Sequence, residues 1–214
     1  MGWSFYNLAP GTSVPQKNHE SYSLVEVTQK MHYLLLHRPP TDRTTTQHAM
    51  PKRMYILCVE DEPEVLDAIV KDLAEFEDLF PVETARSVSE ARTVVARIQE
   101  ARDALALVLC DHIMPGENGV EFLIELYRDP YTATTRKILL TGQAGLDATV
   151  RAVNFANLDF YIGKPWSKDE LCAGVKHQMK AYILAHGREV ERFASLFGER
   201  ELAEAMMSKF PGAR

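Results

Sequence analysis

The stretch Met54-Tyr55-Ile56-Leu57-Cys58-Val59-Glu60-Asp61-Glu62-Pro63 decides how this chain is to be read. Its first six residues form an unbroken apolar run, as a strand buried on both faces requires. Three acids end the run. Pro63 then suits the first turn of a helix, where its missing N–H would have no intrahelical partner anyway. Val65, Leu66, Ile69, Val70 and Leu73 follow at helical spacing. The unit is a buried strand, an acidic corner and a helix packed back on the strand.

The same unit recurs toward the C-terminus. Val82 to Ala85 reads as a short strand and Ser87 to Arg102 as a helix with Ala91, Val94, Val95 and Ile98 on one face. Leu105 to Cys110 is a second fully apolar strand, followed by a helix over Gly119 to Tyr127. Lys137 to Thr141 is a strand, Asp147 to Asn154 a helix, and Asp159 to Gly163 a fifth strand. A last helix begins near the capping residue Ser167. Such alternation implies an α/β fold: a parallel sheet with right-handed crossovers and helices on both faces. The strand order expected is that of the flavodoxin-like doubly wound five-stranded sheet, with a helical C-terminal extension.

In sheets of this kind chemistry sits at the carboxyl ends of the strands. The first strand ends in Glu60-Asp61-Glu62, the third in Asp111, the fourth in Thr141-Gly142, and the fifth is followed by Lys164-Pro165. Taken singly, each has an ordinary reading. The acids serve as helix caps, Asp111 as an Asx turn, Thr141 as a turn hydroxyl and Lys164 as a surface amine. His112 reads as a solvent-facing loop residue, and Trp166 as a packing anchor for the last helix. Taken together, the residues bring carboxylates, a hydroxyl and an amine to one edge. Partly buried carboxylates repel unless protonated or bound to a hard cation. Carboxylate oxygens with water suit Mg²⁺, which takes its remaining ligands from phosphate. The lysine adds a point charge for phosphate, and the set fits phosphoryl transfer, in which a carboxylate can be the nucleophile.

These residues carry a resemblance. Val59-Glu60-Asp61-Glu62-Pro63, Asp111-His112-Ile113-Met114-Pro115-Gly116-Glu117-Asn118-Gly119, Leu139-Leu140-Thr141-Gly142 and Tyr161-Ile162-Gly163-Lys164-Pro165 stand in one order along the chain. In that order and spacing the segment from Met54 to about Tyr182 resembles a response-regulator receiver domain of two-component signalling. The resemblance implies that Asp111 is the phosphoacceptor. Asp61 would be the direct Mg²⁺ ligand, and Glu60 would act through water or as a second acid. Asp111 itself and the Ile113 carbonyl would complete the metal shell. It implies that Thr141 is the switch hydroxyl, Lys164 its partner at the phosphoryl group and Tyr161 the aromatic switch. Glu60 stands where many members have Asp. Ile113 and Gln143 fall where members vary and tune the lifetime of the phosphoryl group. The phosphodonor implied is a sensor histidine kinase or a histidine phosphotransfer protein. The chain would be a signalling phosphoacceptor that catalyses its own phosphorylation and dephosphorylation, not a metabolic enzyme.

Composition narrows the rest. The 214 residues are 46% hydrophobic and 25% charged, with a net charge of -6. Residues 1–53 hold six Lys and Arg against three Asp and Glu, leaving 18 against 27 for the remainder. That acidity, and Glu199, Glu201 and Glu204 where a recognition helix would face phosphate, argue against DNA as a partner. No apolar run approaches the ~20 residues of a membrane helix, so no membrane role is expected. Three scattered cysteines, Cys58, Cys110 and Cys172, read as buried thiols in a reducing, cytoplasmic setting.

Three regions are therefore expected. Residues 1–52 form a mostly disordered leader with a short helix over Leu24 to Leu36, and Met50 and Met54 offer later start positions. Residues 53–185 form the receiver, and 186–214 a helical extension. In the last region Met179, Ile183, His186, Val190, Phe193 and Phe197 recur at coiled-coil spacing. They suggest either a homodimer seam over 175–197 or a tail folded back on the receiver, with Gly187 and Gly198 as breaks. The 147–185 face is a second surface for a homodimer. Phe193, Phe197 and Phe210, if exposed, call for a partner.

Overall fold

The computed structural model describes residues 53–142, 151, 153–186 and 190–198. The leader, Gln143, Gly187, most of the helix expected over Asp147 to Asn154, Phe210 and the segment 199–204 lie outside the described residues.

Strand β1 (Met54–Val59) is buried along its whole length, as its unbroken apolar run requires. Helix α1 (Pro63–Asp72) starts on the proline and continues into a 3₁₀ turn over Leu73–Phe76. Strand β2 (Val82–Ala85) leads to α2 (Val88–Glu100). The Ser87 hydroxyl accepts the Glu90 N–H at 3.1 Å, and the Glu90 carboxylate accepts the Arg86 N–H at 2.7 Å, a reciprocal cap. Strand β3 (Ala104–Asp111) is followed by a small hairpin, Ile113–Met114 against Glu117–Asn118, and then by α3 (Gly119–Arg128). Strands β4 (Arg136–Thr141) and β5 (Phe160–Gly163) precede α4 (Lys168–His186). The Ser167 hydroxyl caps α4 through the Glu170 N–H at 3.2 Å.

The five strands are all parallel in the order β2-β1-β3-β4-β5. This is the doubly wound order expected from the alternation of strand and helix. Each face of the sheet buries its own core. One is built on Leu57, Val59, Val108, Leu139 and the inner faces of α2 and α3. The other is built on Ile56, Cys58, Leu107, Leu140 and the inner faces of α1 and α4. Cys58 and Cys110 are buried, on opposite faces, while Cys172 is only half-buried and donates to the Asp72 carbonyl at 3.2 Å. Burial pushes the Cys58 thiol up to about 12, so it stays protonated near neutral pH. Among the described residues no helix is long and apolar enough to cross a membrane.

The coiled-coil seam is corrected. Met179 and Ile183 are fully buried against the sheet, and Phe193 and Phe197 are 3% and 2% exposed in the same core. One apolar stripe cannot serve both the domain's core and a partner helix, and here it serves the core. The chain returns through a 3₁₀ turn at Val190–Phe193 and a short helix, Ala194–Phe197. Phe193 stacks on Phe80 with ring centroids 5.4 Å apart. His186 stacks on Tyr182 at 4.4 Å. Gly198, with φ 81°, ends the short helix in a conformation that glycine adopts without strain. The folded-back arrangement is therefore the one the chain takes, and Phe193 and Phe197 need no partner to cover them.

Candidate functional site

Parallel pairing sets the ends of β1, β3, β4 and β5 side by side, and the site follows from that register. Val59 pairs with Cys110, Asp111 with Leu140, and Thr141 with Gly163. Glu60 and Lys164, just past β1 and β5, and Asp111 and Thr141, the last residues of β3 and β4, thus reach one edge. Glu60 is fully buried and Asp111 is 5% exposed. Ligand atoms of Glu60, Asp61 and Asp111 lie within 4.8 Å of one another. Lys164 closes the group: its Nζ is 2.6 Å from Glu60 Oε2 and 2.7 Å from Asp111 Oδ1. The Lys164 N–H donates to the Thr141 carbonyl at 2.7 Å, which extends the β4–β5 ladder and sets the lysine beside the threonine. The Lys164–Pro165 peptide bond is cis.

The electrostatics follow from one ammonium serving two buried carboxylates. Burial, with the nearby Asp111 adding to it, holds the Glu60 carboxyl above the usual range, although the Lys164 hydrogen bond pulls it down. Burial works to lower the Lys164 amine, but its hydrogen bonds to Asp111 and Glu60 outweigh this and raise it. The lysine is charged at neutral pH. With Asp61 beside these two, three acids outnumber that single cation, and they offer a donor set of hard oxygens that fits a divalent cation such as Mg²⁺.

Two polar atoms at this edge are buried without a hydrogen-bond partner among the described residues: Thr141 Oγ1 and His112 Nδ1. A buried hydroxyl left unpaired costs on the order of 1–3 kcal/mol, so it marks a place where a further group is expected. Asp111 Oδ2 accepts the Ile113 N–H at 3.0 Å, which orients the carboxylate, while the Ile113 side chain stands 71% exposed at the rim. Tyr161 is half-buried, one position into β5, and packs with Val153 against the α2–α3 core.

His112 corrects an expectation. Its N–H donates to the Leu140 carbonyl at 3.0 Å, so the β3–β4 ladder runs one residue past Asp111. The side chain is consequently buried, 8% exposed, and not facing solvent. Burial lowers its pKa, with Asp111 opposing, which favours the neutral imidazole. Gly119 was quoted only as part of a motif, yet it is a close-approach position: a Cβ there would lie 1.8 Å from the Asp111 carbonyl oxygen. Glycine is the residue that lets α3 start against the strand end. Trp166 is half-buried at the α1–α4 core, and its indole N–H lies 3.3 Å from Asp72 Oδ2.

The fold and this edge together define a doubly wound α/β domain with an acidic, lysine-bridged site at the strand ends. The family model described as the response regulator receiver domain matches residues 56–176, and the chain belongs to that family. Among curated relatives it is 34% identical over 130 residues to the hydrogenase transcriptional regulatory protein HoxA of Cupriavidus necator, covering 61% of this chain and 25% of that one. It is 30% identical over 125 residues to the phosphate regulon transcriptional regulatory protein PhoB of Escherichia coli, covering 58% of this chain and 51% of that one. The chain thus spans a quarter to half the length of these relatives. Among solved structures, it resembles a CheY-like response regulator receiver domain protein from Methanospirillum hungatei at TM-score 0.52 and 29% identity, over 63% of this chain and 97% of that one.

Proposed function

We propose that Asp111 is the phosphoacceptor of a two-component response regulator, supplied by a sensor histidine kinase or a histidine phosphotransfer protein. The observation that carries the reading is Lys164 bridging Glu60 and Asp111 beside the Thr141 hydroxyl, which has no partner among the described residues. In the transfer, an Asp111 oxygen forms the new P–O bond as the P–N bond to the donor imidazole breaks, and that imidazole leaves and takes up a proton. Glu60, Asp61, Asp111 and the Ile113 carbonyl would hold Mg²⁺, which neutralises charge on the phosphoryl oxygens. Lys164 shifts its hydrogen bond from Asp111 to the phosphoryl group, and Thr141 supplies its buried hydroxyl to it. The added charge of roughly -1 to -2 then biases Thr141 and Tyr161 toward a second arrangement of the 147–185 face.

Residues 53–185 form the receiver in this reading and 186–214 an extension, part of it packed on the domain. The output is a change in protein–protein interaction. Passing the phosphoryl group onward in a relay is the alternative, or a constitutively dimeric adaptor. The names of the relatives favour one further reading, control of transcription. Their matches cover about 60% of this chain and only a quarter to half of their own length.

The test is intact-mass measurement after incubation with acetyl phosphate and Mg²⁺, alongside light scattering with beryllofluoride. A single added phosphoryl group, lost in Asp111→Asn, supports the reading. Uptake that survives Asp111→Asn sinks it. A mass that doubles with beryllofluoride assigns the output to dimerisation, and an unchanged mass assigns it to a different partner.

A further inference from the structure

Between Asp111 and α3 the chain makes a hairpin only two residues a side, with Gly116 at its turn at φ 79°. Such a hairpin does not hold itself in water. Ile113, Pro115, Gly116 and Asn118 are exposed, and Met114 is the one side chain of the hairpin that is buried. At its base the Gly119 N–H donates to the His112 carbonyl at 3.0 Å, and Asn118 Oδ1 accepts the Val120 N–H at 2.8 Å; Glu117 is the side chain of the hairpin that reaches across to α2. Its Oε2 accepts the Ser89 N–H at 3.0 Å, and its Oε1 accepts from Arg92 Nη1 at 2.7 Å. Ser89 lies in the first turn of α2, where backbone N–H groups lack helical acceptors and negative charge is favoured. Arg92 then forks onto Glu125 of α3, with Nε 3.0 Å from Oε2 and Nη2 2.9 Å from Oε1. One guanidinium therefore ties the hairpin, α2 and α3 together. Isolated surface ion pairs contribute little, but a forked guanidinium network with an added backbone bond is the arrangement in which they count.

We infer that Glu117 is a positioning residue for the phosphoryl site: by fastening the hairpin to α2 it fixes the Ile113 backbone, and through the Ile113 N–H it fixes the Asp111 carboxylate. This rests on the proposed role of Asp111 and of the Ile113 carbonyl. Glu117 touches neither of them. Its effect is on how well the hairpin holds the cation and the phosphoryl group, so the clamp tunes divalent-cation affinity and the lifetime of the acyl phosphate.

The experiment measures the Mg²⁺ dissociation constant by titration calorimetry and the rate of phosphoryl loss after acetyl phosphate treatment. It compares the parent, Glu117→Gln, Glu117→Asp and Glu125→Gln. Because the clamp is half-exposed, its loss in Glu117→Gln is expected to weaken Mg²⁺ about fivefold, below the range typical of buried partners that orient ligands, with a matching change in the rate. Glu117→Asp falls between. Glu125→Gln cuts the other arm of Arg92 and leaves both bonds of Glu117, so its Mg²⁺ affinity stays within about twofold of the parent. Unchanged affinity and rate in Glu117→Gln would overturn the inference. So would equal losses in Glu117→Gln and Glu125→Gln that track their thermal midpoints, since a merely stabilising role predicts that. A parent that neither binds Mg²⁺ nor takes up phosphoryl overturns the reading of Asp111 and this inference with it.

Discussion

At the carboxyl ends of the strands Glu60, Asp111 and Thr141 are buried around Lys164, and at the amino ends Asp103, Asp159, Lys137 and Gln178 are buried as deeply. The two edges differ in how their polar atoms are satisfied. At the amino edge Asp159 pairs with Arg136 at 2.9 Å and accepts the Lys137 N–H at 2.8 Å. Gln178 Oε1 accepts two bonds from Arg136, at 2.9 and 2.6 Å. Lys137 donates to the Thr135 carbonyl at 2.7 Å and lies over the Tyr127 ring. Asp103 accepts the Arg53 N–H through its side chain and the Tyr131 hydroxyl through its carbonyl. At the carboxyl edge one ammonium serves two carboxylates, and two polar atoms have no partner among the described residues. Buried polarity alone thus does not separate structure from chemistry here. Incomplete satisfaction does.

Substitutions at the two edges put that contrast at risk. The largest effect is expected from Gly119→Ala, because the new Cβ meets the Asp111 backbone and α3 must move away from the strand end. A loss of about 4 kcal/mol by urea denaturation, with slowed phosphoryl uptake, is expected. A stability close to the parent's would show that this end of the sheet is looser than its packing implies. Asp159→Ala strips the amino edge of its buried anion and leaves Arg136 and the Lys137 N–H without it. The cost should be about 3 kcal/mol, with phosphoryl uptake per folded molecule unchanged. A drop in that uptake would mean the two edges are coupled.

Lys164→Met leaves Glu60 and Asp111 facing each other without their cation. In metal-free buffer it should cost about 2 kcal/mol at neutral pH, and added Mg²⁺ should recover most of it. Failure of Mg²⁺ to rescue would argue against a cation site. The smallest effect is at Glu60, whose carboxyl is raised chiefly by burial. A carboxyl raised in the fold holds its proton more tightly folded than unfolded. Its contribution to stability is therefore lost as pH climbs from about 4.3 through the higher folded value. Glu60→Gln should remove that slope and gain about 1 kcal/mol at pH 7 without metal. Parallel urea-midpoint profiles for parent and variant between acidic and neutral pH would contradict it.

Most of the sheet was legible in the chain because parallel strands buried on both faces leave unbroken apolar runs, as at Met54 to Val59 and Leu105 to Cys110. The convergence of Glu60, Asp61, Asp111 and Lys164 was legible because doubly wound topology sends every strand end to one edge. What escaped depends on distances across the fold. The spacing of Met179, Ile183, Phe193 and Phe197 fits a seam with a second helix as well as a core, and their burial against the sheet and Phe80 decides between them. His112 gives no periodic signal, and its burial follows from a single ladder bond to Leu140. Glu117 reads as one more loop acid until Ser89 and Arg92 are seen beside it. The hairpin itself is too short for alternation to reveal.

The stack of Phe193 on Phe80 has a consequence for how a message leaves the domain. Helix α4, 19 residues long, starts next to Lys164 and ends at the other pole, about 28 Å away along its axis. The folded-back tail is moored at that far pole. On the proposed reading, the charge added at Asp111 would lie at the pole opposite the Phe193–Phe80 stack. Phosphorylation, as proposed, would then reach that stack as a shift of α4 or a slackening of its mooring.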